Sequence, residues 1–431
     1  MKRLYRFMAL AAYAASLVFA QDISGDWQGT LKAGPRELRT ILQVTRGCSG
    51  EWKAVLLSID QSPDRGAGMA TTSFSLDGSH IRFAVSQIHG SYDGTLSADG
   101  TSIAGTFTQG LPLPLEFRRA TRETAWTDPS PHSVQFIPVE KDVKLEVLDW
   151  GGSGKPLVLL AGLGNSAHIY DKFAPKLTAK NHVYGITRRG FGASSAPSPA
   201  GDATYSADRL GDDVLAVLDA LKLNRPVLAG HSLAGEELSS IGSRHPDRIS
   251  GLIYLDAGYA YAYYDRSRGD LGIDLADLQK KLEQLQPGKN PPNRRQLIEE
   301  LLATTLPGFE RDLREAQKNL AEAPAAQQPT AQTPPITQAI MAGMQKYTHI
   351  DVPALAIFAV PHATGQPFKD DAERAAADAR DEATTGAQAK AFESGLPSAR
   401  VVRLPHANHF IFISNEDDVL SEMNAFLGNL P

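Results

Sequence analysis

VLAGHSLAGEELSS, Val227 to Ser240, is the stretch that decides the fold. An apolar run ends at Gly230, Ser232 follows His231, and the residues beyond read as a helix. A strand that turns sharply into a helix with serine at the apex exposes its Oγ and aims the helix N-terminus at it. Small residues are needed on both sides of that serine, because the turn presses those positions against neighbouring backbone. Gly230 meets the need before Ser232; after it stand Ala234 and then Gly235, so the motif is G-x-S-x-A. Such a string is short, and its position directly after RPVLA is what gives it force.

Outward from this point the chain alternates strand and helix. VKLEVLDWGG, KPLVLLAGLG, NHVYGITRRG and ISGLIYLDAG read as strands, and YDKFAPKLTA as a helix. SADRLGDDVLAVLDALKL has apolar residues at three- and four-residue spacing with Ser206 as its N-cap. The strands are almost continuously apolar, as expected where helices cover both faces of a parallel sheet. From Tyr259 to Ile350 the alternation stops. Charged amphipathic segments, LADLQKKLEQLQ and NRRQLIEELLATTL, precede AEAPAAQQPTAQTPP, whose composition reads as a flexible or extended segment. VPALAIFAV then resumes the sheet, and a final strand, ARVVRLPHANH, and a helix, NEDDVLSEMNAFLGNL, end it. An insertion between two sheet strands predicts a helical cap over one edge of the sheet.

Residues 21–120 have another texture. Short runs of Val, Ile, Phe, Thr and Leu are broken by Asp77-Gly78, Asp93-Gly94 and Asp99-Gly100, dipeptides that supply the positive φ of tight turns. About seven or eight strands are expected, enough for a small antiparallel barrel or sandwich. GDWQGTL, with Trp27 between glycines, looks like the opening of a lipocalin-like barrel. Trp27 then plugs the barrel as core, or the barrel binds a ligand, a surface or a polysaccharide. Residues 121–133, TRETAWTDPSPHS, read as the linker to a second domain over 134–431.

The first 20 residues read as an export signal: Lys2, Arg3 and Arg6, an apolar run, then Val18 and Ala20 at the −3 and −1 positions before Gln21. The competing reading, a retained anchor, meets a run shorter than the roughly 20 residues of a span. A periplasmic or extracellular protein is expected, with no stable membrane span once the signal is gone. The formal charge of −6 becomes about −9 without the leader's three basic residues, which argues against a nucleic-acid surface. Cys48 is the single cysteine. An exported chain with one thiol has no internal disulfide, and Cys48 in the loop RGCSGEW reads as incidental rather than nucleophilic.

From Val134 onward the chain resembles the α/β-hydrolase fold superfamily, in the branch with a lid between the sixth and seventh strands. The matching pieces, in order, are VLLAGLGNSAHIYDKFAPKL, RRGFGASS, LAGHSLAG, GLIYLDAG and LPHANHF. The resemblance implies an α/β-hydrolase sheet with a helical cap (at about 259–350), preceded by the small all-β domain. It implies Ser232 as nucleophile and a histidine after the last strand as base. His409, just before Phe410, fits that loop better than His406, which follows Pro405 at the strand end. Relatives place the acid after the seventh strand, where AVPHATGQPFKDD offers no adjacent carboxylate and only Asp370 and Asp371 further on, or after the sixth, where IYLDAGY offers Asp256. Asp256 is the preferred assignment, and Asp370 and Asp371 are the alternatives. The oxyanion hole falls to the backbone N–H groups of Leu233 and Leu163; many relatives carry His-Gly where this chain has Ala161-Gly162. His231 is expected to point into the structure. His168 and Tyr170 are pocket or packing residues, and Tyr259, Tyr261, Tyr263 and Tyr264 line a substrate site or pack the cap.

Neither a metal-ligand pattern nor a phosphate-cradling glycine pattern is present, so no cofactor is expected. A serine nucleophile excludes the carboxylate-based chemistries of the superfamily. The reading is an exported serine hydrolase, a carboxylesterase acting on a small-molecule or polymeric ester. Other serine chemistry (amidase, acyltransferase, carbon–carbon hydrolase) and a non-catalytic binding protein using the β domain are the alternatives; oligomeric state is left open.

Overall fold

The computed structural model describes residues 22–33, 36–47, 50–59, 68–125, 131–199, 204–322, 334–363 and 368–430. The expected leader, Cys48 and most of the Ala/Gln/Pro/Thr stretch lie outside the described residues. The chain divides into two compact units, residues 1–56 with 71–126, and residues 57–70 with 127–431.

The N-terminal unit carries a nine-stranded antiparallel sheet, not the seven or eight strands expected, and it is an open half-barrel rather than a closed barrel or sandwich, in which the strand Gly25–Ala33 pairs with both Arg36–Arg46 and Leu111–Arg119. Trp27 is fully buried, its Nε1–H donates to Ile23 O at 3.0 Å, and the Arg119 guanidinium lies 4.4 Å from its ring centroid. Gly78 and Gly100 take positive φ at turns as expected. Asp93-Gly94 does not mark a turn: both residues sit inside the strand Gly90–Leu96, with Gly94 opposite Gly105. The space the two glycines leave is filled by the Tyr92 ring, whose hydroxyl donates toward the carbonyls of Leu115, at 2.9 Å, and Ile103.

The second unit is built on eight strands: β1 (Ser133–Glu140), β2 (Val143–Gly151), β3 (Lys155–Leu160), β4 (Asn181–Ile186), β5 (Val227–His231), β6 (Gly251–Leu255), β7 (Ala354–Ala359) and β8 (Ala399–Leu404). Their spatial order is β1-β2-β4-β3-β5-β6-β7-β8. β1, β2 and β4 pair antiparallel, and the remaining neighbours are parallel. Every residue of β5, β6 and β7 is buried, the burial that continuous apolar strands anticipate. One face is covered by α1 (Ala207–Ala220) and α2 (Ala234–Arg244), through Val214, Leu218, Leu238 and Ile241. Ser206 caps α1, its Oγ accepting from Arg209 N–H. YDKFAPKLTA, residues 170–179, is not one helix: it begins at the end of a 3-10 turn, Ala167–Tyr170, and contains a second, Ala174–Leu177. Pro175, at the head of the second turn, has no N–H for an α-helical ladder.

Between β6 and β7 lie α3 (Leu271–Gln284), α4 (Arg294–Glu300), α5 (Leu306–Glu322) and α6 (Pro335–Gly343), a π-helical turn joining α4 to α5. After β7 come α7 (Asp371–Asp381) and α8 (Ala387–Gly395), and after β8 come α9 (Ile411–Ser414) and α10 (Glu416–Asn429). Among the described residues no helix is long and apolar enough to cross a membrane.

Candidate active site

The loops after β5, β6, β7 and β8 converge at the carboxyl edge of the sheet, the place where open parallel sheets gather their chemistry. Ser232 stands at the end of β5 with φ +51. That left-handed backbone is costly for a residue with a Cβ and persists only where the surroundings over-determine it. Close packing around the turn does so here. A Cβ on Gly230 would meet the Ala234 methyl at 2.9 Å, and one on Gly235 would collide with the Ala257 carbonyl oxygen. Gly235 rather than residue 234 is therefore the position that requires glycine, which is why the motif tolerates Ala234.

His409 connects the other two groups. Its Nε2 is 2.9 Å from Ser232 Oγ and its Nδ1 is 2.6 Å from Asp256 Oδ2. Asp256 has no exposed surface. Its Oδ1 accepts the Ala359 N–H at 3.0 Å, and Oδ2 also accepts from the Tyr259 hydroxyl at 3.0 Å. Burial pushes the Asp256 carboxyl up, but hydrogen bonds from His362 and His409 outweigh it and hold the group below its ordinary range. With carboxylate on Nδ1, the neutral ring carries its proton there and leaves the Nε2 lone pair facing the serine. Asp370 instead caps α7, accepting from Glu373 N–H at 2.8 Å, and Asp371 is exposed. His406 Nδ1 lies 4.0 Å from Asp378 on the exterior.

Above these groups opens a cavity of about 790 Å³. Its floor includes Ser232, Leu233, Leu163 and His409; Ile273, Leu275, Ala276, Met341 and Met344 form an apolar roof from the cap. Tyr259 and Tyr261 line it. Tyr263 packs edge-on to Phe392 of α8, and Tyr264 donates to Asp274 of α3; neither tyrosine lines the cavity.

His168 is not among the cavity residues. It is buried with Nε2 3.3 Å from Glu146 and Nδ1 3.1 Å from Asp171, and Asp171 also meets His132 Nδ1 at 2.8 Å. Burial disfavours its charge, but the two carboxylates prevail and raise His168 to about 10, a standing ion pair under the sheet. Acids supplied by β2 and by the turn after Tyr170 draw the ring inward, a placement that its local sequence does not reveal. Tyr170 is fully buried and donates to Leu160 O at 2.9 Å.

His231 points inward as expected, although the bond it makes was not foreseen, and three further supporting features escaped the reading of the sequence. His231 Nε2–H donates to the His409 carbonyl at 3.0 Å, and burial pushes its ring down to about 3, so it stays neutral and pins the His409 backbone. Arg188, after β4, forms a bidentate pair with Glu237 of α2 at 2.7 and 2.8 Å and donates to Ala161 O at 3.1 Å. It thereby ties the loop of Leu163 to the helix behind Ser232. The pair is buried, a setting in which loss of one partner costs about 3–5 kcal/mol. The second of the three is His362, which bonds Asp256. The third is Glu236, fully buried, with neither carboxyl oxygen hydrogen-bonded among the described residues.

Burial raises Glu236 well above the ordinary carboxylate value, so the folded state holds it neutral. Between its unfolded and folded pKa the folded chain binds one proton more than the unfolded one. Stability from this group is therefore present at low pH and is lost as pH rises above about 4.5, at up to roughly 1.4 kcal/mol per unit. Glu236→Gln lacks that slope. Its Tm relative to wild type rises between pH 5 and pH 8, as followed by calorimetry; a constant or falling difference contradicts a neutral Glu236.

A family model described as alpha/beta hydrolase fold matches residues 155–416. A pimeloyl-[acyl-carrier protein] methyl ester esterase of Aeromonas hydrophila is 26% identical over 280 residues, 64% of this chain and 97% of the relative. A fluoroacetate dehalogenase of a Burkholderia species is 33% identical over 116 residues, 27% of this chain and 38% of the relative. The chain spans about two fifths of the length of several such curated relatives. Among solved structures, a bromoperoxidase from Bacillus anthracis is 21% identical, with TM-score 0.44, 69% of this chain covered and 100% of that one.

Proposed function

The chain belongs to the alpha/beta hydrolase fold family, and from that premise we propose that it is an exported serine hydrolase that cleaves carboxylic esters through an acyl-enzyme intermediate. One observation carries the proposal: His409 stands 2.9 Å from Ser232 Oγ and 2.6 Å from the buried Asp256 carboxylate. Nucleophile, base and orienting acid thus have the mutual geometry that acyl transfer requires.

In the first step Ser232 Oγ attacks the ester carbonyl carbon while neutral His409 Nε2 takes the hydroxyl proton. The imidazolium formed is stabilised through Nδ1–H by Asp256. Negative charge developing on the carbonyl oxygen meets the backbone N–H groups of Leu233, at the head of α2, and Leu163, each worth roughly 3 kcal/mol of barrier. His409 returns the proton to the departing alkoxide. Water, deprotonated by the same Nε2, then attacks the acyl-enzyme, and Ser232 leaves with the proton.

The substrate class follows from the cavity and from its chemistry. An apolar roof of Ile273, Leu275, Met341 and Met344 with two tyrosines at the floor suits an aliphatic or aromatic acyl group. Ester is favoured over amide because an alkoxide leaving group asks least of the acid, and the esterase relative, aligned over nearly its whole length, supports that choice. The basic and apolar leader supports export.

The test is a panel of p-nitrophenyl esters of graded acyl length together with a fluorophosphonate probe. Nitrophenolate release that varies with acyl length, and a covalent adduct mapped to Ser232 by peptide mass spectrometry, are the expected results. A folded protein that takes no label on Ser232 ends the proposal.

A further inference from the structure

We propose that His362 is a positioning residue of this reaction, an imidazolium held between Asp256 and Asp381 that keeps the buried acid ionised and aimed at His409. The inference rests on the assignment of Ser232, His409 and Asp256 given above.

The loop after β7 is where relatives place their acid, and in this chain AVPHAT puts a histidine there. His362 reaches back across the sheet edge to the acid that follows β6. Its Nε2 lies 2.9 Å from Asp256 Oδ2, and its Nδ1 lies 2.8 Å from Asp381 Oδ2. Asp381 also accepts the His362 backbone N–H at 2.7 Å and the Thr385 hydroxyl at 2.8 Å, so the outer carboxylate is itself fixed. The titratable groups facing the His362 ring are Asp256 and Tyr259 from the loop after β6, Asp381 from the end of α7, and His409 from the loop after β8. A ring with a carboxylate oxygen at each nitrogen can donate to both only as imidazolium.

Asp256 needs such a partner. It has no exposed surface, and burial alone drives a carboxyl toward its neutral form. His409 cannot supply a standing charge, because the resting base must be neutral to accept the serine proton. A protonated Asp256 would have no negative charge with which to stabilise the imidazolium of the transition state. His362 provides the charge in the resting enzyme without contacting substrate. The bond to Asp256, followed by those to Asp381, raises it to about 9 against the opposing effect of burial, so it remains charged through neutral pH.

The sign of the pH effect follows. The positive charge opposes proton uptake by Asp256, so it keeps the acidic limb of kcat/KM low. Above pH about 9 His362 loses its proton, one of its two carboxylate partners loses a donor and Asp256 is no longer held in line, so wild-type kcat/KM is expected to fall there. His362→Gln removes the alkaline limb and moves the acidic limb upward by roughly one pH unit. Asp381→Asn, a milder change at a side chain only 24% exposed, keeps the histidine but weakens its hold on its proton, so the alkaline limb moves to lower pH.

The experiment is the pH profile of kcat/KM on a p-nitrophenyl ester without other ionisable groups, for wild type, His362→Gln and Asp381→Asn, with fluorophosphonate labelling in parallel. Both limbs unmoved in folded His362→Gln, or an unmoved alkaline limb in Asp381→Asn, overturns the role of His362. In that case labelling of Ser232 in wild type persists, whereas its absence overturns the serine-hydrolase reading itself.

Discussion

Ser232→Ala lowers kcat/KM on p-nitrophenyl esters by about 10⁴- to 10⁶-fold and leaves Tm within a few degrees of wild type. The magnitude reflects what remains after the change. The cavity, the backbone donors of Leu233 and Leu163 and the His409–Asp256 pair all persist, so residual turnover comes from binding and oxyanion stabilisation with water as nucleophile. Stability holds because alanine keeps the Cβ that the left-handed turn at φ +51 has already accommodated, and because the lost hydrogen bond is one of several at a solvent-facing cavity. Since serine and histidine act as one unit, Ser232→Ala with His409→Ala is no slower than either alone. Steady-state kinetics on the single and double variants check this. Two substitutions that instead multiply would mean that the groups act independently, contrary to a shared proton.

The parts of this site that were legible in the sequence are those whose meaning is local. Ser232 announces itself because strand, small residue, serine and helix are contiguous, and His409-Phe410 because the base precedes an aromatic residue entering a helical turn. Asp256 was readable as a carboxylate at the end of an apolar strand, although only the fold brings it to His409. His362 was not readable. Its partners lie on the loop after β6 and at the end of α7, and nothing near His362 in the chain signals two carboxylates. His168 shows the same limit from the other side, since distant Glu146 and Asp171 turned an apparent pocket residue into a buried ion pair. Asp93-Gly94 shows it again: the dipeptide suits a tight turn, but room for Tyr92 decided the matter in favour of a strand. Apolar periodicity and turn chemistry therefore sufficed for the layered sheet, the cap helices and an all-β N-terminal unit, but not for its nine-stranded open half-barrel. Electrostatic placement depended on contacts far apart in the chain.

Asp256→Asn lowers kcat by about 10⁴-fold, whereas Asp370→Asn and Asp371→Asn leave it within about twofold. The asymmetry comes from hydrogen-bond directions at the buried position. Oδ2 of Asp256 receives His409, His362 and Tyr259, while Oδ1 receives the Ala359 N–H. Both oxygens only accept. An asparagine must place its NH₂ at one of the two, and either choice sets a donor against a donor. If the amide nitrogen faces His409, the ring turns to the tautomer that protonates Nε2 and can no longer take the serine proton. If it faces Ala359, a buried backbone N–H loses its acceptor, at a cost of about 1–3 kcal/mol in stability. In both orientations the charge that stabilises the imidazolium is gone. Asp370 offers none of this leverage, because asparagine caps a helix about as well as aspartate and α7 keeps its first turn. Single-turnover acylation rates for the three variants, with thermal melts alongside, separate the assignments. Near-normal acylation in Asp256→Asn, or a large loss in Asp370→Asn, would transfer the acid's role to the loop after β7.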